Sequence, residues 1–520
     1  MSIPTVTSTR IYKGQREGKT GEESTLVYEE FPHVALSKTY NTDYQVPDSA
    51  GTATAFLAGV KTKRGLVGLD DRAIRGDCAS AQGHEVPSIV KMAKEAGFAV
   101  GVVTNTRLTH ATPAAAYANS PSRDWQSDLD IPEAQKPFGC KDIALQFLEN
   151  FEIDVAMGGG RSSFMPTSKT DYGGNPLLRG IRQDGRNLID EWRLARAKLG
   201  RADFVWNKEQ FDNIDPNSTD YILGLFNYEH MNYEALRDAG PEGEPSIIEM
   251  TEKAINLLRR KKDRFFLLVE GGRIDMAHHT TRAGLALSES LALEQAVAKA
   301  IEMTDDQDTL IIVTSDHSHT MYMAGYPSRG NPILGINDKD LGLDQLPYTT
   351  LGYANGPTAA LLASSFSETG KRPDITSDDT EDPQYTRQSL VPMLSETHAG
   401  DDVAIFAKGP MSHLFHSVHE QNYIMHVMQY AACIGDYTTQ CHTRRGTTTT
   451  GSEATLTDEQ GEPVTSEITS PFLSTVDVDD DASMLIEEND QSVPLSQGIL
   501  FAVDSSPINF YGKQIWAGGG

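Results

Sequence analysis

Acidic, histidine and threonine side chains stand beside short apolar runs at four places in the sequence. They are His110 and Thr112; Glu270, Asp275 and His279; Asp316, His317 and His319; and His398. The first three groups follow an apolar run, and the last precedes one. Neutral imidazole with carboxylate suits Zn²⁺, and hydroxyl with carboxylate suits Mg²⁺. Because these ligands outnumber the needs of one ion, the sequence indicates a multinuclear site, of the kind that holds both reacting oxygens in a phosphoryl transfer.

The spacing of Asp275 and His279 supports this interpretation. If a helix begins near Ile274, residues four apart lie on one face, as a chelating pair requires. Each group also has an ordinary alternative, since an Asp-His pair after a strand is often a turn with a hydrogen-bonded histidine, and His278 with His279 could be a surface pair. The occurrence of several such groups at one predicted sheet edge favours the metal site.

Two further residues could act on a phosphate itself. Ser49 follows Pro47 and precedes a small, apolar, uncharged run over 50–60 that predicts a helix. The N–H groups and dipole at a helix N-terminus favour bound phosphate and an ionised serine oxygen, although a plain N-cap is the common alternative. The planar fork of Arg123 suits a phosphate as well, although most loop arginines are simply solvated.

From Asn41 to about Cys433 amphipathic segments alternate with short runs rich in Val and Ile. This alternation is typical of an α/β fold with a doubly wound, mostly parallel sheet flanked by helices. Helices are predicted over 49–61, 84–97, 140–151, 186–200, 247–262, 281–303 and 420–434, and strands over 98–104, 154–157, 265–269, 309–314 and 402–407. Ligands of such sheets gather outside the carboxyl ends of the strands, which is where the polar groups fall.

Composition excludes some classes of partner. The chain has 45 basic and 73 acidic residues, a net charge of −28 and a pI near 4.8. Such a surface repels nucleic acid and anionic membranes. The acidity is compatible with salt adaptation, because salt screens the repulsion, and equally with ordinary solubility. No apolar run approaches the roughly 20 residues needed to span a bilayer, and the first residues show no signal peptide.

The four cysteines, Cys78, Cys140, Cys433 and Cys441, form no CxxC pair. An even number without metal-ligand spacing permits two disulfides, which would place the protein in an oxidising compartment. Four buried thiols are equally compatible with the sequence alone.

Four motifs taken together resemble alkaline phosphatase. They lie at 46–55, 269–275, 314–319 and 396–402, in the family's order, within a match over about 2–437. The resemblance implies a doubly wound hydrolase of phosphate monoesters, usually a homodimer, with two Zn²⁺ and one Mg²⁺. It implies that Ser49 becomes phosphorylated and that Arg123 grips the phosphate.

The resemblance also implies roles for the remaining candidates. Asp275, His279 and His398 match ligands of the first zinc, Asp316 and His317 those of the second, and Thr112 and Glu270 those of magnesium, with His110 close by and His319 near the zinc pair. It implies disulfides Cys78–Cys140 and Cys433–Cys441, and therefore a periplasmic or extracellular location. On this basis we divide the chain into a core over 1–320 and 396–443, a crown-like insertion over 321–395, and an acidic tail of unknown role over 444–520.

The chain departs from the family at its start. Family members begin with a strand ending in Gly-Asp-Gly-Met, whose aspartate bridges the second zinc and the magnesium, and here Met1 stands at that methionine. Without this strand we expect weak magnesium binding and an open apolar sheet surface. Our preferred explanation is that the sequence starts at an internal methionine of a longer protein. The alternative is that residues 498–503 pair into the vacant position and offer Asp504 to the metals.

The predicted activity is hydrolysis of phosphate monoesters through a phosphoserine. One alternative is an impaired metal- or phosphate-binding fragment that lacks the bridging aspartate. Another is a sulfatase or phosphodiesterase of the same superfamily, although a sulfatase nucleophile normally precedes Pro and Arg, and Ser49 precedes Ala50 and Gly51. A site that grips only the phosphate leaves the identity of the natural substrate open.

Overall fold

Most strands of the computed structural model, which describes residues 1–439 and 498–504, lie in one large sheet. The strands are β1 His33–Lys38, β2 Ala99–Arg107, β3 Val155–Gly159, β4 Ala202–Val205, β5 Tyr221–Leu225, β6 Phe265–Glu270, β7 Thr309–Ser315, β8 Ser318–His319, β9 Met321–Met323, β10 Leu351–Gly356, β11 Ser389–Pro392, β12 His398–Ala399, β13 Val403–Lys408, β14 Val418–Glu420 and β15 Gly498–Asp504. Ten of them form the sheet in the order β14-β1-β13-β7-β15-β6-β2-β3-β5-β4. The run from β7 to β4 is parallel throughout, and β13 is antiparallel to both of its neighbours.

Helices cover both faces of this sheet. They are α1 Ile3–Arg16, α2 Ser49–Ala58, α3 Cys78–Ala81, α4 Ile89–Glu95, α5 Ala111–Ala115, α6 Ile143–Glu149, α7 Leu188–Arg196, α8 Lys208–Asp212, α9 Ile247–Lys261, α10 Arg273–His279, α11 Ala283–Met303, α12 Thr358–Thr369 and α13 Tyr423–Ala432. One core cluster packs α2, α4, α6, α7 and α13 on one face, and a second packs α9, α10 and α11 on the other. The predicted fold class is confirmed, and every predicted helix and strand occurs within a few residues of its expected bounds.

Local sequence explains the best-defined helix ends. At the start of α9, Ser246 accepts a hydrogen bond from the Glu249 N–H, and the Glu249 carboxylate accepts from the Ser246 N–H. This reciprocal pair satisfies two N–H groups that a helix start leaves unpaired. At the end of α2, Gly59 adopts φ +76°, a conformation that costs glycine little. None of the described helices is long and apolar enough to cross a membrane.

The strand β15 occupies the middle of the large sheet. It pairs in parallel with β6 on one side and β7 on the other, with Phe501 opposite Leu268 and Ile312. The expected open apolar sheet surface is therefore wrong for the described structure, because the C-terminal tail fills that position. The alternative pairing of residues 498–503 is confirmed. The acidic part of the tail before residue 498 lies outside the described residues.

A smaller three-stranded sheet, in the order β11-β10-β9, lies within the segment predicted as a crown-like insertion. The domain bounds themselves stay a prediction. The predicted Cys78–Cys140 disulfide is present, with Cα atoms 5.8 Å apart. Cys441 lies outside the described residues, so the second pairing stays a prediction.

Candidate metal centre

The predicted ligands meet where β6 and β7 end at the same edge of the sheet. Asp275 and His279 lie on α10, which begins shortly after β6. Asp316 and His317 follow β7, and the two-residue strands β8 and β12 pair His319 with His398. Parallel neighbours end at one edge, so residues far apart in sequence are brought together there. All of these side chains are buried.

Asp275 is the hub of the cluster. Its Oδ1 lies 2.5 Å from His319 Nε2, 3.2 Å from His398 Nε2 and 3.9 Å from His317 Nε2. Its Oδ2 lies 3.3 Å from His279 Nε2, yet receives no hydrogen bond from the described residues. Burial raises the pKa of Asp275, but the nearby imidazoles of His279, His319 and His398 outweigh burial and hold that pKa well below its usual value. The carboxylate is therefore ionised.

Three imidazoles are oriented to use Nε2 as a ligand atom. His398 Nδ1 lies 2.8 Å from the Pro47 carbonyl oxygen and His279 Nδ1 lies 2.5 Å from that of Glu396, so each Nδ1 donates its hydrogen. His317 Nδ1 lies 3.3 Å from the Ser318 carbonyl oxygen in the same way. This leaves a lone pair on each Nε2, the arrangement found in metal-ligating histidines.

Metal ions fit these donors. The Nε2 atoms of His279 and His398 face each other at 3.1 Å, and two lone pairs at that distance repel unless a cation lies near them. Burial and nearby histidines hold the pKa of His317 well below its usual value, so its ring is neutral. Burial also lowers the pKa of His398, against the opposing charge of Asp275. Neutral imidazoles beside a buried carboxylate oxygen that receives no hydrogen bond are ligands that suit Zn²⁺.

His319 differs from the other three histidines. Its Nδ1 lies 2.8 Å from Glu396 Oε2 while its Nε2 contacts Asp275, so both ring nitrogens face carboxylates. Burial disfavours the charged ring, but Glu396 and Asp275 outweigh burial and raise the pKa of His319 to about 10. His319 therefore holds a proton between the two acids and positions both of them.

Glu396 belongs to the cluster, although it was not a predicted site residue. Its carboxylate is buried and accepts hydrogen bonds from the N–H and hydroxyl of Thr320, each at 2.6 Å, besides its contact with His319. Its Oε2 also lies 3.7 Å from His279 Nδ1, so Glu396 borders both His279 and His319. The sequence feature that could have indicated its role is its position two residues before His398, within the motif at 396–402.

Ser49 lies against this cluster. Its Oγ is 3.1 Å from His317 Nε2, and the His317 Nε2 lies 3.1 Å from Asp316 Oδ2. The N-cap of α2 is Asp48, whose Oδ1 accepts from the Gly51 N–H at 3.2 Å, and Ser49 is the first helical residue. The N-cap alternative for Ser49 is therefore wrong, because Asp48 occupies that position.

Arg123 is buried and joins the same site, which overturns the alternative of a solvated loop arginine. Its Nη1 donates to Asp48 Oδ2 at 2.9 Å, and its Nη2 donates to His110 Nε2 at 3.3 Å. Burial raises the pKa of Asp48, but the charge of Arg123 and two backbone hydrogen bonds outweigh burial and lower that pKa below its usual value. Asp48 therefore fixes the guanidinium close to Ser49, a role that the sequence analysis missed.

The predicted magnesium ligands lie on neighbouring elements. Glu270 ends β6, and its carboxylate accepts hydrogen bonds from the hydroxyls of Thr104 and Thr106 on β2. Thr112 is buried on α5, which packs against β2 and β6. Hydroxyl and carboxylate oxygens on adjacent elements are ligands that Mg²⁺ accepts.

A groove of about 1010 Å³ opens onto the cluster. Its lining includes His279, Glu396 and His398, together with Pro47, Tyr44, Val46, Met393 and Leu394. The groove gives a small molecule a route from solvent to His279 and His398, and its lining residue Pro47 lies two positions before Ser49 in the sequence. The arrangement therefore combines a buried metal-binding cluster, a serine oxygen, a fixed guanidinium and an entrance.

Comparisons with known proteins agree on one family. The model of the alkaline phosphatase family matches residues 1–434. An alkaline phosphatase of Gadus morhua is 49% identical over 438 residues, covering 84% of this chain and 90% of that protein. The tissue-nonspecific isozyme of Homo sapiens is 48% identical over 438 residues, covering 84% of this chain and 82% of that protein.

A solved structure shares the fold. It is a variant of the alkaline phosphatase of the Antarctic bacterium TAB5 with Mg bound, matching with a TM-score of 0.55 at 22% sequence identity. The match covers 82% of this chain and 94% of that one.

Proposed function

The chain belongs to the alkaline phosphatase family and is a metal-dependent hydrolase of phosphate monoesters, and we propose that it acts through a phosphorylated Ser49. The observation that carries this proposal is the contact of Ser49 Oγ with His317 Nε2 at the start of α2, beside a buried cluster that fits metal ions. A serine oxygen needs such activation, because a free hydroxyl is a weak nucleophile.

The reaction has two steps. In the first, Ser49 Oγ bonds to phosphorus, the bond from phosphorus to the ester oxygen breaks, and the alcohol leaves with a proton. In the second, the oxygen of a water bonds to phosphorus, the bond to Ser49 Oγ breaks, Ser49 regains a proton, and phosphate leaves. Arg123 and the N-terminus of α2 would hold the other phosphate oxygens in both steps.

Two Zn²⁺ and one Mg²⁺ are the proposed cofactors. The first zinc would be held by Asp275, His279 and His398, the second by Asp316 and His317, and the magnesium by Thr112 and Glu270. When bound, such ions lower the pKa of a coordinated hydroxyl or water and neutralise charge on the attacking and leaving oxygens. The lone pairs on His279, His398 and His317, and the Asp275 oxygen without a donor, support this assignment.

Asp504 is a further proposed ligand. Its backbone pairs with Ser315, directly before Asp316, and the preceding Val503 pairs with Glu270. By this backbone register, residue 504 lies at the carboxyl end of β15, near the ends of the two neighbouring strands that lead into proposed ligands of the second zinc and of magnesium. A carboxylate shared by two cations reduces the repulsion between them.

Turnover of a chromogenic aryl phosphate, with metal content measured on the same sample, tests the whole proposal. We expect turnover together with zinc and magnesium bound at about two to one. A sample that carries these metals but does not turn over would favour the alternative of a metal- or phosphate-binding protein. Turnover of aryl sulfates in preference would favour the sulfatase alternative.

Replacing Arg123 tests its grip on phosphate. We expect Arg123→Ala to raise KM and the inhibition constant of inorganic phosphate by about 10- to 100-fold, because a hydrogen bond to a charged group contributes about 1.5–3 kcal/mol. Steady-state kinetics measures both constants. Arg75→Ala is the matched control, since Arg75 pairs with Asp124 in an exposed setting nearby. Equal constants in Arg123→Ala and the control would rule out the proposed role.

A homodimer is also proposed, on the basis of apolar side chains beside the small sheet. Leu390 is 79% exposed and Leu394 is 87% exposed, and Val391 and Met393 are exposed between them. We expect Leu390→Asp with Leu394→Asp to convert a dimer to a monomer in sedimentation experiments, because burying a charge at an apolar interface is costly. Leu177→Asp is the control, since Leu177 is 87% exposed elsewhere. Unchanged sedimentation of the double variant would place the interface elsewhere.

An extracytoplasmic location is proposed as well. The Cys78–Cys140 disulfide supports it, because disulfides persist mainly in oxidising compartments. Fractionation of the source cells, with activity measured in each fraction, tests the location.

Salt adaptation follows as a proposal from the net charge of −28. We expect the thermal midpoint to rise as NaCl increases from about 0.1 M to above 1 M, because the Debye length falls from about 10 Å to about 3 Å and repulsion is screened. Calorimetry across this range measures the midpoint. A flat or falling midpoint would instead indicate ordinary acidic solubility.

A further inference from the structure

We propose that residues 498–504 act as a donor strand that is supplied by the chain's own tail. Its insertion between β6 and β7 completes the sheet and fixes the positions of the two helices that carry Ser49 and Asp275. Residues 433–497 separate this strand from α13 in the sequence. The inference concerns assembly of the fold, and it goes beyond the proposed reaction.

The slot for this strand lies between two edges that do not pair with each other. One edge of β6 pairs with β2 and the other with β15, and one edge of β7 pairs with β13 and the other with β15. Without β15 the large sheet would therefore divide into two parts, one ending at β6 and the other at β7. Each part would carry an edge of unpaired backbone N–H and C=O groups in the interior, which is costly.

The side chains of β15 belong to both faces of the core. Ile499 and Phe501 are buried in one core cluster, and Leu500 and Ala502 in the other. A strand that is apolar on both faces is typical of a central position in a parallel sheet. The slot therefore recognises an apolar peptide by backbone hydrogen bonds along both edges and by side chains on both faces, as in donor-strand complementation.

The strand also contacts the elements that position the site. The Phe501 ring lies 5.1 Å from the Phe56 ring, centroid to centroid, in an edge-on arrangement, and Phe56 lies on α2, the helix that begins at Ser49. On the opposite face β15 packs against α10, which carries Asp275 and His279. Removing the strand would therefore loosen the nucleophile and the hub carboxylate together.

A single substitution in the full chain tests this inference. We expect Phe501→Asp to speed amide hydrogen exchange in β6 and β7 by about 100-fold or more while β3 and β5 stay protected, because local opening exposes only the strands that lose a partner. Phosphatase activity of this variant should also fall, by at least about tenfold. Leu495→Asp, the same kind of change three residues before the strand, is the control. Unchanged exchange in β6 and β7 of Phe501→Asp would overturn the inference, and this readout does not depend on phosphatase activity.

Cleavage of the folded full-length protein covers the case in which that variant fails to fold. A protease site placed within residues 440–497 is cut after purification. We expect the C-terminal fragment to remain bound through gel filtration, and a labelled peptide of residues 498–504 to replace it after mild denaturant, whereas the same peptide with Phe501→Asp does not. Release of the fragment on cutting, with the thermal midpoint and metal content unchanged, would overturn the inference.

Discussion

Ser49→Ala is expected to lower turnover of an aryl phosphate by about 10⁴-fold or more, because removing a nucleophile removes the covalent route altogether. Inorganic phosphate should still bind with a similar inhibition constant, since Arg123 and the metal ligands remain. Steady-state turnover and equilibrium phosphate binding measure the two effects separately. A loss of turnover without a loss of phosphate binding identifies a residue that reacts with the substrate and does not merely bind it.

Acid quenching identifies the atom that reacts. With labelled substrate, one phosphate per chain should be trapped on Ser49 of the unchanged protein and none on Ser49→Ala. Ser168→Ala is the matched control, because Ser168 is exposed and far along the chain from the proposed site residues. Label on another residue, or normal turnover in Ser49→Ala, would disprove the assignment.

Asp275→Asn is expected to cause the second large loss, about 10³-fold or more in turnover together with most of the bound zinc, because this carboxylate faces four histidines. Asparagine keeps the size of the side chain but removes the charge that balances the cations. His319, which is protonated between Asp275 and Glu396, would also lose one of its two acids. Elemental analysis and kinetics on the same sample measure both losses.

Two companion variants sharpen this result. Asp263→Asn is the control, because Asp263 is exposed at the opposite, amino end of β6. Asp504→Asn should release magnesium while keeping the first zinc, because Asp504 pairs with Ser315 in the sheet register and directly follows Val503, which pairs with Glu270. Full zinc content in Asp275→Asn would contradict the role of Asp275 as the central zinc ligand. Full magnesium content in Asp504→Asn would contradict the assignment of Asp504 as a ligand.

Local features made much of the site predictable. The helix spacing of Asp275 and His279 holds. Strands β6 and β7 end at Glu270 and Ser315, one residue beyond their predicted ends, so Glu270 and Asp316 lie at the strand ends as expected. Each of these depends on hydrophobic periodicity and on turn residues within a few positions, which the chain encodes directly. The pairing of Asp48 with Arg123 and of Glu396 with His319 was not predictable, because each joins side chains more than 70 residues apart.

The sequence by itself determined the residue types, the elements that carry them and the resemblance to one family. Only the tertiary structure decided which strands are neighbours, and therefore that β15 lies between β6 and β7. Periodicity describes how a segment is buried and not which partner buries it, so the six-residue apolar run 498–503 does not specify which two strands it lies between. The register that sets Asp504 beside Ser315 exists only once backbone hydrogen bonds join segments far apart in the chain.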